Sequence, residues 1–252
     1  MKNVLITICG RAGSKGFKNK NLKVFLNKPL VYYTLRSAFD FKARVKDADV
    51  DIALNTDSRI LQNLVLEKYP ETEKVDRPEE LAGDIVPKMA VFQYTLKYME
   101  QKYNKTYDYL IDLDITSPLR QIDDVLSAYE MKLSRPDAGL VFSGCPSRRN
   151  PYFNMVKTAG DHVEKVIESP FTARQQAPSV YDLNASIYVF NADFLKTNTT
   201  GILWETKCLV YEMRDTAVLD IDSEEDFEMM QLIGSYLFEN VPGFKKVREL
   251  IR

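Results

Sequence analysis

Residues 11–21 are of the types that hold a polyphosphate. They directly follow the apolar run 4–9, which is typical of a short buried strand. Two glycines let the backbone turn sharply and approach a ligand closely, and there are six Lys or Arg and no Asp or Glu between Arg11 and Lys28. A turning cationic loop at the carboxyl end of a first strand predicts phosphate binding, with a solvated basic loop as the alternative.

Two aspartates near the end of the chain are candidate metal ligands. Asp220 and Asp222 follow the apolar residues 217–219, which predict the end of a strand. Residues two apart in an extended chain project to the same side, so this pair can hold Mg²⁺ against phosphate oxygens. The alternative is that Asp222 or Ser223 simply caps the next helix.

A second aspartate pair, Asp112 and Asp114, repeats this pattern at the end of another strand and just before residues 115–120. The rest of that strand, residues 107–113, has the composition of a core strand. A carboxylate buried there would need compensation by a cation or a metal. The alternative is an acid that is hydrogen-bonded to the backbone of the loop.

Composition restricts the chemistry further. The chain has one histidine, His162, in a polar stretch, so mechanisms that need an imidazole base or a two-histidine metal site are disfavoured. Carboxylates, cations and a hard metal are the usual groups of phosphoryl and nucleotidyl transfer. The formal net charge is -2, so nucleic acid is not an expected partner.

Cysteine usage and hydropathy indicate the compartment. The three cysteines have no paired spacing and form no C-x-x-C motif, which predicts reduced thiols in a cytoplasm rather than disulfides or a zinc site. No apolar stretch is long enough for a signal peptide core or a membrane span. We therefore expect a soluble cytoplasmic protein without a membrane partner.

Strand-like and helix-like segments alternate along one predicted domain of 252 residues. The predicted strands cover residues 50–54, 107–113, 138–143 and 186–190, and the predicted helices cover residues 29–41, 59–69, 87–102, 123–134 and 226–238. This alternation predicts an α/β fold with a mostly parallel, doubly wound sheet and ligands at the carboxyl ends of its strands. It fails at residues 146–177, which predict an inserted arm or subdomain.

Guanidinium and amide groups gather in two later segments. Arg174, Gln175 and Gln176 form one segment, and Asn184 opens the other. Such groups could bind a polyhydroxylated acid, since Arg is a bidentate match for a carboxylate. The polar loop 77–84 would be a surface turn if no other context applied.

Taken together, these segments resemble the cytidylyltransferases that activate nonulosonic acids, the CMP-sialic acid synthetase family. The matching motifs, in chain order, are residues 11–21, residues 77–84, residues 116–120, residues 174–176 with Asn184 and Tyr188, and Asp220 with Asp222. The five motifs lie in order within residues 4–226, which is most of the chain. The resemblance implies a nucleotidyltransferase fold of the glycosyltransferase-A-like type.

Departures from the family pattern favour its bacterial branch that acts on legionaminic acid. Many sialic acid enzymes have glutamine where this chain has Asp114, and glycine where it has Ala185. Residues 112–114, 147–153 and 184–188 are more similar to the legionaminic acid branch. Lys88 stands where the family often has a small hydroxyl residue near the nucleotide.

The resemblance also implies site assignments. CTP would be bound by Arg11, Gly13, Ser14, Lys15, Lys20, Asn21 and, near the nucleoside, Arg77. The acid would be bound by Asp114, Thr116, Ser117, Arg174, Gln175, Gln176, Asn184 and Tyr188. The metal Mg²⁺ would be held by Asp220 and Asp222, and Arg11, Lys20 and Asp222 would be catalytic.

In the implied reaction, the anomeric hydroxyl of a nine-carbon 2-keto acid attacks the α-phosphorus of CTP, and pyrophosphate leaves in line. Mg²⁺ would neutralise the charge that builds on the phosphates. The group that takes the hydroxyl proton stays open between a metal-activated hydroxyl and Asp222. The resemblance further implies a homodimer with residues 146–177 at its interface.

Three alternatives remain. The acid could be N-acetylneuraminate or a deaminated relative. A hexose-1-phosphate nucleotidyltransferase is disfavoured by the segment 174–176. An inactive nucleotide-sugar binding or regulatory protein is disfavoured because every candidate phosphate and metal residue is present.

Overall fold

The structure is a computed structural model that describes residues 1–13, 16–83 and 85–251. Its strands are β1 (Lys2–Cys9), β2 (Val24–Phe25), β3 (Lys28–Pro29), β4 (Ala48–Thr56), β5 (Glu73–Asp76), β6 (Tyr109–Leu113), β7 (Leu140–Pro146), β8 (Val156–Ala159), β9 (His162–Lys165), β10 (Tyr181–Asn191) and β11 (Cys208–Glu212). Its α-helices are α1 (Leu30–Arg44), α2 (Arg59–Lys68), α3 (Lys88–Tyr103), α4 (Ile122–Ser134), α5 (Ala192–Thr197), α6 (Glu224–Asn240) and α7 (Pro242–Leu250).

Seven strands form one sheet in the order β11-β7-β10-β6-β1-β4-β5. Only β10 runs antiparallel to its neighbours, β6 and β7, and the other adjacent pairs are parallel. Parallel neighbours need crossover connections; α1 lies in the connection from β1 to β4, and α2 lies in the connection from β4 to β5. The predicted mostly parallel α/β sheet is confirmed.

Strand β1 lies in the middle of the sheet and is buried on both faces. Val4, Ile6 and Ile8 pack on one side with α1 and α4, while Leu5 packs on the other with α3. All four side chains are fully buried, which stabilises the fold by about 1.5–3 kcal/mol for each. The continuous apolar run therefore belongs to a doubly covered central strand.

The expectation of a strand at residues 217–219 is wrong. A 3₁₀ turn covers Asp215–Val218, because the backbone N–H of Ala217 donates to the carbonyl of Arg214. Asp220 and Asp222 therefore lie in a loop. The edge strands β5 and β11 and the short or terminal helices α5 and α7 were not predicted; β5, for example, buries one residue, Val75.

Residues 146–177, where the α/β alternation was expected to fail, contain the hairpin of β8 and β9 and a 3₁₀ turn at Arg174–Gln176. The hairpin turns at Gly160, whose φ of +65° lies in the left-handed region that glycine tolerates. Among the residues that the structure describes, no helix is long and apolar enough to cross a membrane.

Candidate active site

A cavity of about 590 Å³ opens at the carboxyl end of the parallel strands. This is the edge at which α/β sheets bind ligands. Eight residues selected from the sequence line the cavity: Arg11, Lys20, Asn21, Arg77, Asp114, Thr116, Asp220 and Asp222. The fold thus brings together the cationic first loop, the loop after β5, the loop after β6 and the acidic loop before α6.

The first loop turns back on itself beyond β1. Gly13 has a φ of +73°, a left-handed conformation that favours glycine. The side chain of Asn21 donates from Nδ2 to the Arg11 carbonyl at 3.2 Å, which closes the loop. Ser14 and Lys15, which were predicted to contact CTP, lie outside the described residues.

The first loop also contacts the acidic loop before α6. A Cβ added at Gly16 would lie 2.8 Å from the carbonyl oxygen of Asp222, so only glycine fits at this approach. The ammonium of Lys20 donates to the Ile221 carbonyl at 2.8 Å and to Asp222 Oδ1 at 2.9 Å. Predicted phosphate-binding and metal-binding residues are therefore in direct contact.

The helix cap is Ser223 rather than Asp222. Ser223 Oγ accepts the backbone N–H of Asp226 at 3.1 Å, and the Asp226 carboxylate accepts the N–H of Ser223 at 2.8 Å. This reciprocal capping box satisfies the start of α6 without the side chain of Asp222. The Asp222 side chain is 76% exposed and bonded to Lys20, so it is free of the capping role.

Asp114 is a buried carboxylate with both oxygens occupied. Its Oδ1 accepts the backbone N–H of Thr116 at 2.8 Å and the Thr116 hydroxyl at 2.7 Å, while Oδ2 forms an ion pair with Lys88. Burial raises the pKa of Asp114, but the charge and hydrogen bond of Lys88 and the Thr116 donors outweigh it, so the pKa lies below its ordinary value.

The pKa of Lys88 is shifted in the direction opposite to that of Asp114. Burial lowers the pKa of its ammonium, yet the carboxylates of Asp114 and Asp112 outweigh that effect and raise it above its ordinary value. Asp112 itself is buried beneath the pair and accepts the Thr7 hydroxyl at 2.9 Å. Burial raises the pKa of Asp112 to about 6.

Asp220 suits a divalent cation. Burial, followed by the negative charge of Asp114, raises the pKa of Asp220, and Asp222 adds to the rise. A cation would relieve this repulsion. No group of three or more acidic, His or Cys residues able to hold a metal occurs among the residues described here. Since Mg²⁺ uses one or two carboxylates and completes its shell with substrate phosphates and water, Asp220 and Asp222 fit such an ion.

Arg77 is held at the opposite side of the cavity by Asn55, a residue that the sequence analysis did not select. Its Nε donates to Asn55 Oδ1 at 2.6 Å, and Nη2 donates to the Asn55 carbonyl at 3.1 Å. Asn55 is fully buried and donates in turn to the Thr95 hydroxyl at 2.8 Å. Asn55 could have been selected from the sequence, because it is an amide residue directly after the predicted strand 50–54.

Comparison with known proteins decides what this site belongs to. The family described as "Cytidylyltransferase" matches residues 5–233. The chain belongs to this family. Cytidylyltransferases are nucleotidyltransferases, and a cavity that combines basic loop residues with aspartates agrees with that activity.

Two curated relatives match this cytidylyltransferase over nearly its whole length. The "CMP-N,N'-diacetyllegionaminic acid synthase" of Campylobacter jejuni is 36% identical, covering 93% of this chain and 96% of the relative. The "Post-translational flagellin modification protein B" of Campylobacter coli is 34% identical, covering 92% of this chain and 95% of the relative.

A solved structure shares the fold. The CMP:2-keto-3-deoxy-manno-octonic acid synthetase complexed with CTP has a TM-score of 0.64 and 14% identity, and the match covers 93% of this chain and 99% of that one.

Six of the eight residues predicted to contact the acid do not line the cavity of the cytidylyltransferase, and Ser117, Asn184 and Tyr188 are three of them. Ser117 Oγ donates to the Asn184 carbonyl at 3.2 Å, and Asn184 Nδ2 donates to the Ala217 carbonyl at 3.0 Å. The Asn184 side-chain oxygen accepts the Ser143 hydroxyl at 2.6 Å. Tyr188 on β10 packs against Phe190. Ser117 and Asn184 are buried, and their hydrogen bonds link the loops beneath the site.

The segment 174–176 also lies outside the cavity lining of the single chain. The guanidinium of Arg174 donates to the carbonyl of Arg148. Gln176 Oε1 accepts the backbone N–H groups of Thr172 at 2.9 Å and Ala173 at 3.1 Å, so its amide stabilises its own turn. No contact of these residues, including Gln175, with the cavity is present in the described part of the chain.

Lys88 and Cys9 line the cavity but were not assigned a role from the sequence. Burial, and then the charge of Asp112, raise the pKa of the Cys9 thiol well above its ordinary value, so it is a poor nucleophile. Lys88 begins α3, directly after the loop that carries Arg77. Because of this position in the sequence, Lys88 could have been selected as a residue of the site.

Proposed function

We propose that this cytidylyltransferase joins CTP to a nine-carbon 2-keto sugar acid, with legionaminic acid favoured, and releases pyrophosphate. The observation that carries the proposal is one cavity that gathers Arg11, Lys20 and Asn21 with Asp220 and Asp222. Such a cavity suits an anionic nucleotide that is bound together with a cation. The relative named as a legionaminic acid synthase supports the choice of acid, because the similarity extends over 93% of the chain.

CTP would lie across the first loop. Arg11 and Lys20 supply positive charge for the triphosphate, and the turn at Gly13 allows backbone and phosphate to approach closely. Arg77, fixed on Asn55 at the β4–β5 side of the sheet, would face the nucleoside. The acid would then occupy the side of the cavity that holds Asp114 and Thr116.

Asp220 and Asp222 would hold Mg²⁺, whose chemistry when bound is to neutralise charge on the phosphate oxygens. The anomeric hydroxyl of the acid forms the new bond to the α-phosphorus, and the bond to the β,γ-pyrophosphate breaks in line. Lys20 bridges the loop of the phosphates and the loop of the metal, so it would keep the two in register. Asp222 is exposed and could accept the hydroxyl proton.

The proposal includes a homodimer formed through residues 146–177. Val156 on β8 and Val163 on β9 are 60% and 61% exposed. Thr158 pairs with Val163 in the hairpin, so both valines lie on the same face of it. A hairpin face with two exposed valines is a suitable interface with a second copy, and contact with that copy could bring Arg174 to a neighbouring site. We place the reaction in the cytoplasm, in keeping with the free Cys9, Cys145 and Cys208.

Initial rates of pyrophosphate release from CTP and Mg²⁺ test this proposal. The acids to compare are N,N'-diacetyllegionaminic acid, N-acetylneuraminate and deaminated sialic acid, with glucose 1-phosphate as a non-acid acceptor. The highest kcat/KM is expected for the legionaminic acid. A preference for N-acetylneuraminate would change the substrate within the same reaction. A preference for the hexose phosphate, or no release with any acceptor, would overturn the proposal.

A further inference from the structure

The cationic side chains that line the cavity are held at different places in the fold. Within the described part of the chain, four cationic side chains line it: Arg11, Lys20, Arg77 and Lys88. Arg11 and Lys20 belong to the first loop, and Arg77 is held by Asn55 at the end of β4. Lys88 is the member of this set that is held at the end of β6, by Asp114.

In the pair of Lys88 and Asp114, both residues line the cavity, and the lysine is the more exposed member. The side chain of Lys88 is 50% exposed, whereas that of Asp114 is 11% exposed. Both carboxylate oxygens of Asp114 already accept hydrogen bonds, from Lys88 and from Thr116. An ammonium has three donors, so Lys88 keeps donors for a ligand while Asp114 has little accepting capacity left. A bound substrate would therefore meet Lys88 rather than Asp114.

The family resemblance places position 88 near the nucleotide, but the ammonium of Lys88 pairs with Asp114 at the end of β6, and this position favours the acid over the nucleoside. Asp114 follows β6, whose neighbours are β1 and β10. Arg77 and Asn55 lie on the other side of β1, at the ends of β5 and β4. With the nucleoside at Arg77 and the phosphates over the first loop, the β6 side is left for the acid.

We propose that Lys88, fixed by Asp114, binds the C1 carboxylate of the sugar acid and orients the adjacent anomeric hydroxyl. This inference rests on the proposed function and deepens it, because it assigns the carboxylate to a residue on the cavity wall. Arg174, which the sequence predicts to bind the acid, donates to the Arg148 carbonyl and does not line the cavity of the single chain. Asp114 acts through Lys88 and is a positioning residue.

The test pairs variants of the protein with a change in the substrate. Steady-state kinetics with N,N'-diacetyllegionaminic acid and with its C1 methyl ester would be measured for the wild type, Lys88→Met and Arg174→Ala. Lys2→Met is a matched control, because Lys2 is 51% exposed and paired with Asp108 but lies at the opposite end of β1 from the cavity. Lys88→Gln is the second variant if Lys88→Met does not fold.

For the acid, Lys88→Met is expected to lose roughly 10- to 100-fold in kcat/KM, the range for one charge-assisted hydrogen bond. The KM for CTP should change by less than about twofold, since Lys88 is held on the acid side of the cavity. Esterification should reduce the wild-type kcat/KM by a similar factor but have little further effect in Lys88→Met. This non-additivity indicates direct contact. Asp114→Asn should raise the KM for the acid as well, but by less.

Three results would overturn the inference. Esterification could cost Lys88→Met as much as it costs the wild type, the CTP KM could rise instead of the acid KM, or the insensitivity to esterification could appear in Arg174→Ala. All three require an active wild type. An inactive wild type would instead contradict the proposed function, so the two failures are distinguishable.

Discussion

The ammonium of Lys20 lies 2.9 Å from the carboxylate of Asp222, although 202 residues separate them in the sequence. Lys20 also donates to the neighbouring Ile221 carbonyl at 2.8 Å. A pair whose aspartate side chain is 76% exposed contributes little to stability. The contact instead positions the first loop against the acidic loop, so that phosphate-facing and metal-facing residues share one wall.

The first prediction concerns Asp222. Asp222→Asn should retain the fold but lose at least roughly 100-fold in turnover, the scale for removing one preorganised electrostatic group. The control is Ser223→Ala at the adjacent residue, which removes the cap of α6. It should lower the unfolding free energy by about 1 kcal/mol and largely keep turnover. Kinetics and chemical denaturation of both variants check this. Near-normal Mg²⁺-dependent turnover of Asp222→Asn would exclude the proposed role.

The second prediction concerns Arg11, which lines the cavity at the start of the first loop. Arg11→Ala should weaken CTP binding or turnover more than acid binding, because the loop faces the phosphates. Varying each substrate in turn separates the two effects. Arg135→Ala is a matched control, because Arg135 is 43% exposed, pairs with Asp137 just before β7 and does not line the cavity. A defect confined to the KM of the acid would assign the loop to the wrong ligand.

The third prediction concerns pH. Burial raises the pKa of Asp112 to about 6 in the folded state, against about 3.9 when unfolded. Between these values the folded state binds more protons, so the unfolding free energy should increase as pH falls from 8 to 5. The gain is fully present below the unfolded pKa and lost as pH rises through the folded pKa.

The variant Asp112→Asn isolates this effect, because an amide oxygen can still accept the Thr7 hydroxyl but does not titrate. The lowered pKa of Asp114 acts in the opposite sense and only below its unfolded value. Denaturation curves at pH 8, 6.5 and 5 give the difference between wild type and variant. A difference that stays constant across this range would contradict the buried, destabilised carboxylate.

The fourth prediction concerns assembly. The variant with Val156→Lys and Val163→Lys places two charges on the exposed hairpin face and should convert a dimer to monomers of 29.0 kDa. Leu232→Lys is the control, since Leu232 is 76% exposed but belongs to α6 rather than to the hairpin. Sedimentation velocity measures the masses. A monomeric wild type, or a dimer that only Leu232→Lys disrupts, would reject the hairpin interface.

Local pattern determined which elements could be predicted. The continuous apolar run of β1 and the Ser58 cap of α2, which accepts the Leu61 N–H at 3.2 Å, are readable from neighbouring residues. Edge strand β5 was missed because one buried valine gives no periodic signal. The turn at Asp215–Val218 was mistaken for a strand because three apolar residues fit either conformation.

The site could be predicted from the sequence only in part, and the reason differs from that for the fold. Motif residues were found because their types suit phosphate and metal, and eight of them do line one cavity. The ion pair of Lys88 and Asp114 joins residues 26 apart that only the packing of α3 on the sheet brings together. Ser117 and Asn184 look like ligand groups in sequence, yet their hydrogen bonds are made within the protein.

The most direct measurement of the central claim is the fate of CTP, followed by ³¹P NMR with Mg²⁺ and N,N'-diacetyllegionaminic acid. We predict that the three CTP resonances disappear while one phosphodiester resonance and pyrophosphate appear in equal amounts, and only when the acid is present. CTP that is bound but not consumed, or that is converted to CDP and phosphate, would contradict the account.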